Sequence, residues 1–131
     1  MSSAQPTVQI QAVRTIGVPV TDQDRALAFY VDTLGLRTRI DVPLGHGKRW
    51  IVVTPPQGTA SIALVAADDH QPAGVETGIR LVSRDAEAAH AALIAHGVDA
   101  DEVLHWEGVP PMFSFRDQDG NGLEIVEEAD A

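Results

Sequence analysis

The first third of the chain changes from a strand-like to a helix-like spacing of apolar residues. In residues 13–20, VRTIGVPV, every second residue is apolar, as in a half-buried strand. The next stretch, 21–35, has helical spacing. Thr21 or Asp22 can cap the start of this helix, and Gly35 can end it. The apolar residues that share one side of the predicted helix are Ala26, Phe29, Tyr30 and Leu34.

Three extended segments follow the helix, and glycine- and proline-containing turns separate them. They are LRTRIDVP, KRWIVVTPP and TASIALVAA, at 36–43, 48–56 and 59–67. The chain then repeats the same order, with a strand at 77–83 and an alanine-rich helix at 84–97. After this helix come EVLHW, MFSFRD and GLEIVEE, at 102–106, 112–117 and 122–128.

This repetition predicts an internal duplication with a period of about 61 residues, too long and with too few copies for a solenoid. The predicted fold is α+β, with two tandem βαβββ modules at about 13–66 and 77–128 joined by a linker at 67–76. We expect one domain over residues 1–131, because 131 residues with 44% hydrophobic content can build one core but not two conventional ones. The first 12 residues and the final EADA lack a pattern, so we expect frayed ends.

Composition narrows the functional classes. The chain has no cysteine, which excludes disulfides, thiol nucleophiles and zinc–thiolate sites. A net charge of −10 opposes binding to nucleic acid or to an anionic membrane surface. The start lacks a secretory signal, and no apolar run approaches the roughly 18 residues of a membrane span. We therefore expect a cytoplasmic protein without nucleic-acid or membrane partners.

Alternation along each strand also predicts two faces. One face is apolar and is expected to pack against the helices. The opposite face mixes small, aromatic and polar residues, as a small-molecule pocket does. The predicted core residues are Ile16, Val18, Val20, Ile51, Val53, Ile62, Leu64, Ile79, Leu81, Phe113, Phe115, Leu123 and Ile125, and the predicted cavity residues include Trp50, Val52, Arg80, Met112, Ser114 and Glu124.

Two βαβββ units, the helix text RALAFYVDTLGL and the closing DQDGNGLEIVEE together resemble the vicinal oxygen chelate superfamily. This superfamily includes glyoxalase I, extradiol dioxygenases, fosfomycin-resistance enzymes and bleomycin-resistance binding proteins. The resemblance covers about residues 13–128. It implies that each module forms half a barrel with its helix outside, and that a homodimer completes the ligand cavities.

The enzymes of that superfamily hold a divalent metal on four strands, and the resemblance places those four positions at Thr15, Ala63, Gly78 and Glu124. Only Glu124 is a competent ligand, and one carboxylate cannot replace the hydration shell of such an ion. We therefore expect no metal and no other cofactor. Glu124 is then either a cavity carboxylate paired with Arg80 or a solvent-exposed residue at the end of its strand.

Other candidate residues lie near the expected cavity rim. Trp50 and Trp106 are the only tryptophans, and they would stack on a ligand, fill the core or pack at a subunit interface. His46 and His105 lie beside turns that would act as lids or simply reverse the chain. No nucleotide-binding or G-x-S-x-G motif is present.

Two functional hypotheses follow. The first is a metal-free protein that sequesters a hydrophobic, aromatic antibiotic or natural product and so confers drug resistance. The second is an enzyme of the lyase or dioxygenase type, in which Glu124 acts as a base or residual metal ligand and Arg80 as oxyanion partner. The loss of three of the four ligand positions favours the binding protein.

Overall fold

The computed structural model describes residues 7–58 and 60–131, and it confirms the predicted α+β class. In the first module, helix α1 (Gln23–Leu27) continues directly into a π-helical segment, Ala28–Thr33. Asp22 caps α1, because its side chain accepts hydrogen bonds from the backbone amides of Asp24 and Arg25. The elements of this module are β1 (Thr15–Val20), α1 (Gln23–Leu27), β2 (Arg37–Gly45), β3 (Lys48–Thr54) and β4 (Ser61–Ala66).

The second module has fewer regular strands than predicted. The segment 102–106 was predicted as a strand, but only isolated bridges, Ala100 to Phe115 and Leu104 to Met112, connect this part of the chain to β6. The first strand of the module begins at Glu76, inside the predicted linker. The elements of this module are β5 (Glu76–Ser83), α2 (Ala86–Ala95), β6 (Met112–Arg116) and β7 (Gly122–Glu127).

Each module forms its own sheet. Sheet A has the strand order β1-β4-β3-β2, and sheet B has the order β5-β7-β6. The first strand of each module pairs in parallel with the last strand, β1 with β4 and β5 with β7, while the remaining pairs are antiparallel. β1 and β5 consequently lie at the edges of their sheets.

One hydrophobic core joins both sheets and the helices. Every residue predicted for the apolar face of a strand belongs to this core or packs against it. Tyr30 from the helical segment of the first module is completely buried, and Leu93 from α2 is nearly so. Because a strand presents alternate residues to opposite faces, the remaining strand residues face away from the core. We refer to these surfaces as the outer faces of the two sheets.

A buried polar network connects the two modules at the turn 117–121. The Tyr30 hydroxyl donates a hydrogen bond of 2.7 Å to Asp117, and the side-chain amide of Asn121 donates one of 2.8 Å to the carbonyl of Pro19. Asn121 also accepts hydrogen bonds from the backbone amides of Gly74 and Val75. This network satisfies the buried side chains of Tyr30, Asp117 and Asn121 and links the second module to the first, whereas Gln118 Oε1 in the same turn is buried without a hydrogen-bond partner among the described residues. No helix in the described part of the chain is long and apolar enough to span a membrane.

Candidate functional site

The outer face of sheet B brings three predicted site residues into one row. Strand register places Arg80 of β5 opposite Glu124 of β7, and Ser114 of β6 opposite Glu124 from the other side. Directly opposed residues share a face and lie close enough to interact. Glu124 therefore lies between the Arg80 guanidinium and the Ser114 hydroxyl. Arg80 is the basic partner that the sequence analysis expected for Glu124.

The Arg80–Glu124 contact is a weak, partly exposed ion pair. Arg80 Nε lies 3.5 Å from Glu124 Oε1, which is an ion pair rather than a short hydrogen bond. The Arg80 side chain is 69% exposed and the Glu124 side chain 31% exposed. An exposed ion pair of this kind contributes little to stability, about 0–1 kcal/mol. Both groups thus remain accessible to a ligand.

A second row on the same face is apolar. Val126 lies opposite Met112 in β6 and beside Val82 in β5, and a bridge places Leu104 next to Met112. Val82 and Leu104 are 50% and 43% exposed. The outer face of sheet B therefore combines a polar row with an apolar row. The apolar row can adjust to a ligand, because the flexible side chain of Met112 adapts to irregular shapes.

Sequence analysis did not single out Glu76 and Arg116 as site residues, yet they extend the polar row. Arg116 forms two hydrogen bonds with the Asp101 carboxylate, of 2.8 and 3.1 Å, and these bonds hold the pKa of Asp101 below its usual range. The carboxylate of Glu76 lies over Gly122, in the space that a side chain at 122 would take. Gly122 was visible in the sequence as the last residue of the DGNG turn. The close approach of the Glu76 carboxylate to Gly122, however, depends on the pairing of β5 with β7.

The outer face of sheet A is apolar around Trp50, and Thr15 and Ser61 pair at its polar end. Register places Trp50 beside Val42, and Val52 between Ile40 and Ala63. Trp50 is half-buried and Val42 is 46% exposed, whereas Val52 and Ala63 are each only 2% exposed and therefore covered. The accessible apolar surface that a planar molecule can contact on this face is thus the Trp50 ring with Val42.

The remaining predicted site residues lie apart from these rows. Trp106 is 65% exposed in the loop before β6. His46 occupies the exposed β2–β3 turn with a positive φ of 55°. His105 Nε2 lies 2.6 Å from Glu87 Oε1 of α2, so its ring is directed toward that helix. The structure therefore does not bring His46, His105 and Trp106 together with the Glu124 row in a single chain.

The metal positions implied by the superfamily do not form a donor set. Thr15 and Ala63 lie in sheet A, whereas Gly78 and Glu124 lie in sheet B, and Ala63 and Gly78 have no donor atom in their side chains. Within residues 7–58 and 60–131, no group of three or more His, Cys, Asp or Glu side chains is arranged to hold a metal ion. The residues present do not fit a divalent metal at this place.

An unexpected cavity of about 730 Å³ lies along the open edge of β5, where residues of the inner face, such as Ile79, and of the outer face, such as Arg80 and Val82, both line it. It is an apolar fissure that follows β5 from Gly78 to Ser83 and extends toward the loop between β3 and β4. Of the predicted site residues, only Arg80 lines it. The sequence pattern assigned five of its apolar lining residues to the core, and it could not show that they pack incompletely where the modules meet. These five are Ile16, Ile62, Ile79, Leu81 and Ile125, and Leu36 and Leu93 line the cavity as well.

The fold and the pattern of the faces agree with a comparison of the sequence with known families. Residues 12–125 match the model of the Glyoxalase/Bleomycin resistance protein/Dioxygenase superfamily. The chain belongs to this superfamily. The predicted resemblance to vicinal oxygen chelate proteins is thereby confirmed, although the superfamily contains both binding proteins and enzymes.

Several relatives cover nearly the whole chain. TnmS3, an antibiotic binding protein from Streptomyces sp. CB03234, is 32% identical with a TM-score of 0.80, covering 91% of this chain and 97% of that chain. A superfamily member from Sphaerobacter thermophilus DSM 20745 is 33% identical with a TM-score of 0.83, covering 91% and 98%. The uncharacterized protein YurT of Bacillus subtilis (strain 168) is 29% identical, with coverage of 83% of this chain and 93% of that protein.

Proposed function

We propose that this protein binds and sequesters a largely apolar, partly planar small molecule, such as an antibiotic or another natural product, without a metal. The observation that carries this proposal is the contrast between the two outer faces. Sheet A offers Trp50 beside small apolar residues, and sheet B offers the Arg80–Glu124–Ser114 row beside Met112. The similarity to TnmS3, an antibiotic binding protein, supports the same class of function.

The arrangement of the faces favours a homodimer. Both sheets pack their inner faces into one shared core, so their outer faces point away from each other within a chain. A single chain therefore cannot enclose a ligand between the two faces. A second copy can place its sheet B opposite sheet A of the first, which gives two equivalent pockets related by twofold symmetry.

In such a pocket the planar part of the ligand lies on Trp50. Its polar groups contact Arg80, Ser114 and Glu124, and Met112 adapts to its outline.

The proposal is tested with purified protein in a thermal-shift screen against bleomycin, mitomycin and anthraquinone-containing compounds. A ligand of the folded protein raises the melting temperature by mass action. Trp106→Phe leaves Trp50 as the only tryptophan, and Trp50→Phe leaves Trp106, so fluorescence quenching in each variant reports which ring meets the ligand. Elemental analysis after dialysis is expected to show no stoichiometric metal.

Trp50→Ala is expected to weaken binding of the compound found in the screen by about 1–3 kcal/mol, roughly ten- to hundredfold, as for an aromatic anchor. The fold should survive, since Trp50 is only half-buried. Val109→Ala, at a 43% exposed loop position, is the matched control and should leave affinity unchanged. Equal affinity in both variants would contradict the placement of the ligand on sheet A.

The Glu124→Gln variant distinguishes the enzyme alternative from the proposed binding protein. For a binding protein this change weakens binding, and no reaction is lost because none occurs. Turnover of a thiol adduct, a catechol or an epoxide by the wild type, abolished by Glu124→Gln, would replace sequestration by catalysis with Glu124 as the base.

A further inference from the structure

The turn that links the two modules contains the only asparagine of the chain, and a glycine follows it. These residues are Asn121 and Gly122, the second half of DGNG. In a flexible Asn–Gly peptide, the backbone nitrogen of the glycine attacks the side-chain carbonyl carbon of the asparagine, and ammonia leaves. Glycine favours this reaction because it has no side chain to shield the nitrogen and its backbone rotates freely. The sequence therefore contains one asparagine that is chemically prone to deamidation.

The folded structure holds the side chain of Asn121 by four hydrogen bonds. Its oxygen accepts hydrogen bonds of 2.8 and 3.0 Å from the amides of Gly74 and Val75. Its nitrogen donates hydrogen bonds of 2.8 and 2.9 Å to the carbonyl of Pro19 and to the Asp117 carboxylate. The residue is completely buried. Both hydrogens of the side-chain amide are thus in use, and water does not reach it.

The attacking nitrogen is occupied as well. The amide of Gly122 donates a hydrogen bond of 2.9 Å to the carbonyl of Val75. Gly122 is buried and pairs with Glu76 on one side and with Arg116 on the other. The reaction requires this nitrogen to lose its proton and to face the side-chain carbon of Asn121 at about 3–3.5 Å. Both requirements break hydrogen bonds of the folded chain, so this region must open first.

The same turn has features that lower the cost of local opening. The amide and hydroxyl of Thr21 donate hydrogen bonds of 3.0 and 2.5 Å to the Asp119 carboxylate, and these bonds are exposed to solvent. Gln118 Oε1 is buried and has no hydrogen-bond partner in the described part of the chain. Exposed bonds compete with water, and an unsatisfied buried group favours the open state. The turn can therefore open while the core stays folded.

We propose that Asn121 is a latent deamidation site, which the folded junction protects and which reacts when the junction opens. The junction is the turn 117–121 together with Pro19 and Val75. In the open chain, a bond forms between Gly122 N and Asn121 Cγ, the Gly122 nitrogen gives up its proton, and the side-chain nitrogen leaves as ammonia. Water then opens the cyclic imide at either carbonyl, which gives aspartate or isoaspartate with no change of oxidation state.

The product cannot restore the junction. An aspartate at position 121 has an oxygen in place of the nitrogen that donated to Pro19 and Asp117. These two acceptors then lose a donor, and a second negative charge lies beside the Asp117 carboxylate. Isoaspartate also lengthens the main chain by a methylene group, which displaces Gly122 from its register with β5. Deamidation therefore converts a transient opening into a permanent loss of stability.

Released ammonia and peptide mass spectrometry measure the reaction in the intact chain, where Asn121 is the only asparagine. In mildly alkaline buffer, Asn121 of the folded wild type should deamidate about a hundredfold or more slowly than in urea, because only the open state reacts. Gly122→Ala is the chemical control and should react more slowly than the wild type in urea, since its side chain shields the nitrogen. Equal rates of the folded and unfolded wild type, or of wild type and Gly122→Ala in urea, would overturn the proposal.

The Tyr30→Phe variant tests whether the junction controls the reaction. It removes the hydrogen bond to Asp117 and leaves Asn121 and Gly122 unchanged. Its deamidation in native buffer should be about tenfold or more faster than in the wild type, because the open state is more populated. Ile51→Ala is the matched control, since it removes fully buried core contacts in β3, away from the turn. Circular dichroism confirms that each variant is folded during the incubation.

Two outcomes of this comparison contradict the proposal. A wild-type rate in Tyr30→Phe would show that the bond to Asp117 does not restrain the junction. An equal or greater acceleration in Ile51→Ala would show that only unfolding of the whole chain exposes Asn121.

Refolding shows the consequence of the reaction. Wild-type protein deamidated in urea and then refolded should unfold at a lower urea concentration than protein refolded after a brief exposure to urea. Deuterium exchange at the amides of Gly74, Val75 and Gly122 should also be faster in the deamidated protein, because their hydrogen bonds depend on the closed junction. Equal stability and equal exchange in the two samples would refute the permanent effect of deamidation.

Discussion

Replacement of Tyr30 by phenylalanine is expected to destabilise the protein by about 1.5–3 kcal/mol, the range for a hydrogen bond to a charged group. The Tyr30 side chain is fully buried, and its hydroxyl donates a 2.7 Å hydrogen bond to the Asp117 carboxylate, which is only 6% exposed. Phenylalanine keeps the ring contacts with Phe29 and removes only this bond. The cost stays within this range because Asp117 keeps hydrogen bonds from Asp119 and Asn121.

The same hydroxyl makes stability sensitive to alkaline pH. Burial, together with the hydrogen bond to Asp117, raises the pKa of Tyr30 far above its usual range. Because the folded pKa is the higher one, this contribution to stability is fully present below the pKa of an unfolded tyrosine, about 10, and declines above it. Above that pH, the free energy of unfolding that Tyr30 contributes falls by about 1.4 kcal/mol per pH unit. The Tyr30→Phe variant lacks this decline, because phenylalanine does not ionise.

Tyr30 is the only tyrosine, so the assay can follow it directly. Urea unfolding by circular dichroism between pH 7 and 11 measures the stability of the wild type and of Tyr30→Phe, and phenolate absorbance reports ionisation. The phenolate band of the wild type should appear only together with unfolding. Reversible phenolate formation near pH 10 with an intact circular dichroism spectrum would refute the buried placement of Tyr30. A stability loss below about 0.5 kcal/mol in Tyr30→Phe would refute the energetic importance of its bond to Asp117.

Two further predictions concern the same turn. Burial alone would raise the pKa of Asp119, but hydrogen bonds from the Thr21 hydroxyl and amide and from Gln118 hold it below its usual range. Its contribution is therefore present above the unfolded pKa of about 3.9 and lost as pH falls through the folded pKa, so Asp119→Asn should flatten the acid unfolding curve. Gly122→Ala should cost less than about 1.5 kcal/mol in urea unfolding, because the atoms in its way are the flexible end of Glu76 and not backbone. A larger loss would show that the Glu76 carboxylate cannot move.

The sequence alone determined which side of each strand belongs to the core. Alternation is a local property of the pleated backbone, so Val18 and Ile51 could be assigned inward and Trp50 and Glu124 outward without knowledge of the partner strands. The helix cap was predicted to within one residue, as Thr21 or Asp22, because a capping side chain binds amides only two or three residues away, and the structure has Asp22. The adjacency of Arg80 and Glu124, by contrast, was expected from the family resemblance, because a local pattern does not specify which strand is the neighbour.

Only the tertiary structure decided how these surfaces face one another. Within one chain, the polar row of sheet B and the apolar surface of sheet A turn away from each other around a shared core, and the enclosed space lies instead along β5. The bond from Tyr30 to Asp117 joins residues 87 positions apart, and Glu76 covers Gly122 from a different strand. No periodicity encodes such contacts, because they depend on how two modules pack and on which groups that packing buries. The segment 102–106 meets the edge of β6 only at the isolated bridge of Leu104 to Met112, so its strand-like pattern does not form a continuous ladder.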